Sequence, residues 1–188
     1  MLMQNSRAPC GAPEIKRAPM ALERVTARGA FEGYASVFHV ADLGGDVVMP
    51  GAFKASLAKR GAAGVKFLWQ HDPSEPIGMW SAIEEDARGL KVRGQLNLAV
   101  GRAREALALM QDHAVDGLSI GFRTQKAIRE PNGGLRRLYR LDLWEISIVT
   151  FPMLPQARIT AMKDRLSDAG RWMRCADAVE ARLSELAL

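Results

Sequence analysis

Three short stretches of this chain carry residue types that could do hydrolytic chemistry. Ser119 lies in Gly117-Leu118-Ser119-Ile120-Gly121-Phe122, among small and apolar neighbours that give its hydroxyl no helix to cap and no turn to close. His71 stands in Trp69-Gln70-His71-Asp72-Pro73, at the end of an apolar run, and Glu145 in Leu143-Trp144-Glu145-Ile146-Ser147. A serine hydroxyl is a poor nucleophile until a base takes its proton. Histidine titrates near neutral pH and suits that task, while a carboxylate can orient the imidazole and stabilise its cation. Each residue also has a plainer reading. Ser119 could be a strand serine bonded to neighbouring backbone, and His71 could be structural. Glu145, costly to bury unpaired, could pair with His71, pair with a nearby arginine, or face solvent from the alternate side of a strand. The other two histidines read more simply. His113 closes an amphipathic helix, where the dipole favours a cation, and His39 enters a polar loop.

The elements that must position these residues are legible from periodicity. The first ordered element is expected near Leu22, and residues 31–38 read as a strand. The loop Asp42, Gly44, Gly45, Asp46 leads to an extended piece at 47–49. Pro50 then suits the first turn of a helix running to Arg60 and stopped by Gly61. Residues 65–69 form a short apolar strand, which Asp72-Pro73-Ser74 is expected to break. A further strand is read over 77–84. The cleanest period-2 segment is 90–98, with Leu90, Val92, Leu96 and Leu98 on one side, as in a half-buried antiparallel strand. Residues 101–113 switch period, and Ala103, Ala106, Leu107 and Met110 mark the inner face of a helix. Strands at 120–128 and 135–143 flank the turn Pro131-Asn132-Gly133-Gly134 and form a hairpin, with another apolar strand at 144–151. From Gln156 onward the chain reads as helical. Trp172, Ala176, Val179, Leu183 and Leu186 form one stripe, which needs a cover: its own core, a second copy of the chain in a homodimer, or a segment lost on processing.

The fold class is therefore α+β: about seven mostly antiparallel strands, two internal helices and a C-terminal helical tail. At 188 residues there is room for one well-buried domain. The organisation read is a disordered leader over 1–21, a folded domain over 22–157 and a tail over 158–188. No apolar run is long enough for a transmembrane helix, so no membrane partner is expected. Cys10 and Cys175 form no ligand-spaced cluster, so no metal site and no disulfide framework are expected. The net charge of +5 is concentrated at Arg123, Lys126, Arg129, Arg136, Arg137 and Arg140, set against Glu130 alone. That is either a solvated hairpin face or a basic surface for nucleic acid or an acidic protein partner. Tyr139 is the one aromatic among them, which argues against a single-strand binding groove, and direct nucleic-acid binding is not expected.

The series of blocks is more specific than any one of them. It runs Gly33-Tyr34-Ala35-Ser36-Val37-Phe38, Gly45-Asp46-Val47-Val48, Pro50-Gly51-Ala52-Phe53, His71-Asp72-Pro73, Pro76-Ile77-Gly78 and Gly89-Leu90. It continues with the Ser119 block and Glu145-Ile146-Ser147-Ile148-Val149-Thr150-Phe151-Pro152. In this order the blocks resemble the prohead (capsid maturation) proteases of tailed bacteriophages and gene transfer agents, a family similar to herpesvirus assemblin. The resemblance implies a small β-barrel flanked by helices and a serine endopeptidase without cofactor or metal. Ser119 would be the nucleophile, His71 the general base and Glu145 the third member, a place where the related viral enzymes use a second histidine. Oxyanion-hole candidates are the backbone N–H groups near Gly121, Phe122 and Arg123, or the Arg123 side chain. The implied substrate is the scaffolding region of the major capsid protein precursor, and the protease itself is a further candidate. Cleavage would occur in the bacterial host cytoplasm, inside the assembling procapsid. The alternative is a non-catalytic assembly protein that kept the fold, although Ser119, His71 and Glu145 are all present.

Overall fold

A computed structural model of the chain describes residues 28–131 and 134–161. Both cysteines, the expected start near Leu22, the leader and the amphipathic stripe lie outside these residues. The elements in order are β1 (Ala30–Val37), β2 (Asp46–Val48), α1 (Lys54–Arg60), β3 (Lys66–Trp69), β4 (Asp72–Glu85), β5 (Gly89–Leu96), α2 (Gly101–Gln111), β6 (Gly117–Arg129), β7 (Arg136–Val149) and β8 (Ile159–Ala161). The period-2 and period-3.6 readings hold where they were cleanest. Leu90, Val92 and Leu96 of β5 are buried, as are Ala103, Ala106, Leu107 and Met110 of α2.

All eight strands belong to one sheet, in which β7 is the organising element. Along one edge β7 pairs antiparallel with β6 over nearly its whole length; it also pairs parallel with β2 near its start and with β3 near its end. From β3 the sheet continues antiparallel through β4, β5 and β1 to β8. It then meets its own beginning. Leu118 N–H donates to the Ala157 carbonyl (2.9 Å), Ile159 N–H to the Asp116 carbonyl (3.0 Å) and Tyr34 N–H to the Arg158 carbonyl (3.0 Å). The result is a small, mostly antiparallel barrel flanked by two helices. Gly33 allows the closure, since a β-carbon there would lie 2.5 Å from the Arg158 carbonyl oxygen.

The core lies inside the curl. Phe31, Phe67 and Trp80 pack ring against ring, with centroids 4.3–5.8 Å apart, joined by Ile146 and Ile148 of β7 and Leu118 of β6. Glu85 of β4 receives the N–H groups of Gly51 (2.8 Å) and Phe53 (2.7 Å), capping the start of α1 from another element.

Three expectations are corrected. Asp72-Pro73-Ser74 does not interrupt the strand: β3 and β4 are joined by the two-residue turn Gln70-His71, and β4 begins at Asp72 despite its prolines. The reason is local, because Gln70 (φ 52°) and His71 (φ 62°) both take the left-handed conformation that a tight two-residue hairpin requires. The segments read separately at 135–143 and 144–151 form one continuous strand. Ile159–Ala161 is strand rather than the helix read from Gln156, since pairing with β1 outweighs local propensity.

Candidate active site

His71, Glu145 and Ser119 arrive at one region from the β3–β4 turn, β7 and β6. The β3–β4 turn runs beside the end of β7, where Gln70 N–H donates to the Ile148 carbonyl (3.0 Å) and the Gln70 side chain donates to Thr150 Oγ1 (2.8 Å). This grip places the His71 ring so that Nδ1 lies 2.6 Å from Glu145 Oε1. Positive φ is uncommon for any residue but glycine; histidine takes it more readily than most, whereas glutamine has no such preference. The anchoring bonds hold them there.

Glu145 faces the histidine because β7 carries an extra residue. Leu141 and Leu143 point into the core, and unbroken alternation would send Glu145 the same way. The ladder shifts between the Gly121–Glu145 and Phe122–Leu143 pairs, leaving Trp144 as the bulged residue. Beyond it the parity is reversed: Ile146 and Ile148 point inward, while Glu145 and Ser147 share the other face. Helix α1 holds this bulge in place. Leu143 N–H donates to Ser56 Oγ (2.9 Å), Arg60 Nη2 pairs with Asp142 Oδ1 (2.6 Å), and Trp144 Nε1 donates to Asp142 Oδ2 (2.8 Å). The guanidinium groups of Arg60 and Arg123 lie over the Trp144 ring, at 5.2 and 5.3 Å from its centroid.

Chiefly the Arg60 hydrogen bond, opposed by partial burial, holds the Asp142 carboxyl below its usual range, with Trp144 and Ser56 adding to it. A carboxylate whose pKa is lower in the folded chain stabilises the fold above its unfolded pKa, about 3.9, and loses that effect as pH falls through the lower value. Asp142→Asn should therefore melt at a lower temperature than the wild type at pH 7. The gap should narrow below about pH 4, as followed by circular dichroism. A gap independent of pH would count against this role.

Ser119 lies on β6 directly opposite Ser147, and Gly121 opposite Glu145, so all four share one face of the β6–β7 ladder. Ser119 is 8% exposed, and its hydroxyl has no hydrogen-bond partner among the described residues. A cleft of about 220 Å³ opens beside it, lined by Val40, Val48, Phe122 and Met153 together with Asp42 and Asp46. Of the three candidate residues, Ser119 alone lines this cleft. The ring of His71 is 42% exposed, whereas Glu145 is 13% exposed.

Gly121, Phe122 and Arg123 follow Ser119 on β6, at the point where the ladder shifts; the Arg123 guanidinium is engaged by Trp144. His39 and His113 are exposed, both with positive φ, and His113 follows the end of α2, with no acidic partner for either among the described residues. No group of three or more His, Cys, Asp or Glu among the described residues could hold a metal ion. No helix among them is long and apolar enough to cross a membrane.

Sequence reasoning gave Ser147 no role. Its hydroxyl donates to Glu145 Oε2 (2.6 Å) and accepts the His71 backbone N–H (3.1 Å). The signal was present: Glu145 and Ser147 are two apart, the spacing that puts strand residues on one face. The basic face is smaller than the sequence suggested. Arg136 forks onto the Asp46 carboxylate and Arg137 onto Glu130, so Arg123, Lys126, Arg129 and Arg140 are its exposed cations without an acidic partner among the described residues, Arg123 lying over the Trp144 ring.

The family model of caudovirus prohead serine proteases matches residues 18–171. The chain belongs to this family. It is 40% identical over 155 residues to the prohead protease of Enterobacteria phage HK97, covering 78% of this chain and 68% of the relative. A capsid polyprotein of Pseudomonas phage PAJU2 is 32% identical over 105 residues, which is 53% of this chain and 16% of the polyprotein. Among solved structures, the protease is similar to KSHV protease in complex with a hexapeptide phosphonate inhibitor (TM-score 0.46, 13% identity, 69% of this chain and 63% of that one). Varicella-zoster virus protease gives a TM-score of 0.43 at 12% identity, over 69% of this chain and 62% of that one.

Proposed function

We propose that this prohead protease is a serine endopeptidase with Ser119 as nucleophile, His71 as general base and Glu145 as the residue that orients the base. The observation that carries this reading is the 2.6 Å contact between His71 Nδ1 and Glu145 Oε1, on the ladder face that also bears Ser119. A carboxylate oxygen at Nδ1 favours the tautomer with its proton there, which leaves the Nε2 lone pair free to accept one. As Ser119 Oγ attacks the peptide carbonyl, Nε2 takes the hydroxyl proton and then delivers it to the leaving amine. Water repeats the sequence on the acyl-enzyme. The Glu145 carboxylate stabilises the transient imidazolium. N–H groups of Gly121, Phe122 and Arg123 are the donors proposed for the oxyanion. The cleft beside Ser119 receives a substrate side chain next to the scissile bond.

The substrate is the scaffolding region of the major capsid protein precursor, cut within the assembling procapsid. The relatedness to a phage prohead protease and to part of a capsid polyprotein supports this choice. The site assignment is tested by treating the purified chain with a fluorophosphonate and locating the adduct by peptide mass spectrometry. The expected result is a single adduct at Ser119, formed about 10²-fold or more slowly in His71→Ala. An adduct elsewhere, or equal labelling in His71→Ala, would overturn it.

A further inference from the structure

We propose that Ser147 is a positioning residue for this site, a fourth member that sets Glu145 and His71 in place together; the proposal rests on the assignment just given. Ser147 is 0% exposed, and its hydroxyl is engaged both as donor and as acceptor. It has one proton to give. The His71 backbone N–H is itself a donor, so at that 3.1 Å contact the hydroxyl must accept. Its proton therefore goes to Glu145 Oε2, 2.6 Å away. The direction of the network follows from donor chemistry alone: His71 N–H to Ser147 Oγ, Ser147 O–H to Glu145 Oε2, and Glu145 Oε1 facing His71 Nδ1.

This arrangement ties the two ends of the catalytic pair to one atom. The carboxylate is held at both oxygens, by the hydroxyl on one and the imidazole on the other, so its rotation is fixed. The same hydroxyl grips the main chain of His71, a residue held with φ at 62° in a two-residue turn. Without Ser147 the carboxylate would keep one partner, and the turn would lose its bond at the residue that carries the base. A residue that merely fills space would contribute to stability and leave the reactivity of Ser119 unaltered.

The test uses saturation kinetics of fluorophosphonate labelling at Ser119 on the full chain, which needs no knowledge of the cleavage sequence. Ser147→Ala should lower the maximal labelling rate about tenfold while the half-saturating concentration stays within about twofold. Ser147→Thr and Ser147→Val have nearly the same shape and differ in the hydroxyl. The threonine variant should label about tenfold faster than the valine variant, which isolates the hydrogen bonds from any steric effect. In a Glu145→Ala background most of the Ser147→Ala loss should vanish, because its main target is gone. An unchanged rate in Ser147→Ala, equal rates in the threonine and valine variants, or a loss repeated in full in the Glu145→Ala background would each overturn the proposal. A wild-type chain that gives no adduct at Ser119 would overturn the nucleophile assignment, and this proposal with it. A labelled wild type with an unaffected Ser147→Ala would overturn this proposal alone.

Discussion

Ser119→Ala is expected to reduce cleavage of the capsid precursor by about 10⁴-fold or more, with a melting temperature within about 2 °C of the wild type. The two halves of this prediction have one cause. Ser119 is nearly buried, and its hydroxyl bonds to nothing among the described residues. Alanine removes an oxygen that no neighbour depends on, so no donor or acceptor is orphaned. A serine held for structural reasons would behave oppositely: its loss would cost stability, and residual processing would follow the folded fraction. Co-expression with the precursor, read by the size of the capsid subunit, gives the activity, and a thermal melt gives the rest. Full processing by Ser119→Ala would remove Ser119 from the chemistry.

Gly121→Ala should inactivate the enzyme nearly as thoroughly as removal of Glu145. A β-carbon on residue 121 would stand 2.0 Å from Glu145 Oε1 and 2.7 Å from its Cδ. Both are far inside van der Waals contact, about 3.5 Å or more. Because Glu145 Cγ would also stand 2.8 Å away, the whole side chain must swing aside rather than its tip alone, and it can do so only by leaving His71. Turnover should therefore fall by about 10²-fold or more, at a stability cost below about 1 kcal/mol. Combining Gly121→Ala with Glu145→Ala should cost little beyond Glu145→Ala alone, since both act on one group. Wild-type turnover in Gly121→Ala would show that the 2.6 Å pairing is dispensable. The glycine after Ser119-Ile120 is thus accounted for by a neighbour across the ladder.

Much of the fold was readable because several segments bury one face in regular alternation. β5 and α2 are the clearest cases, where the residues picked out by period are those in the core. The readings failed where a long-range contact overrode a local signal. Pro73 is compatible with β4, the turn falls one step earlier at Gln70-His71, and a three-residue strand at Ile159–Ala161 exists because β1 accepts it. For the site, residue types and block order pointed to Ser119, His71 and Glu145. The face on which Glu145 emerges depends on the inserted Trp144, and that insertion depends on Ser56 and Arg60 of a helix 80 or more positions away in the chain. No periodicity contains that information. The charge of the hairpin was misleading for the same reason, since the Asp46 that engages Arg136 lies 90 residues upstream.

The seam of the barrel also bears on what a break in the chain beyond β7 would do. Leu118, which immediately precedes Ser119, has its N–H held by the Ala157 carbonyl, and the same short segment ties β6 to β1 through Arg158 and Ile159. A cut between Pro155 and Ile159 would free that segment's grip on the strand that carries Ser119. The barrel would open beside the site rather than at a distant edge. The short segment after β7 is therefore part of the support of the site, although none of its side chains belongs to the proposed catalytic set.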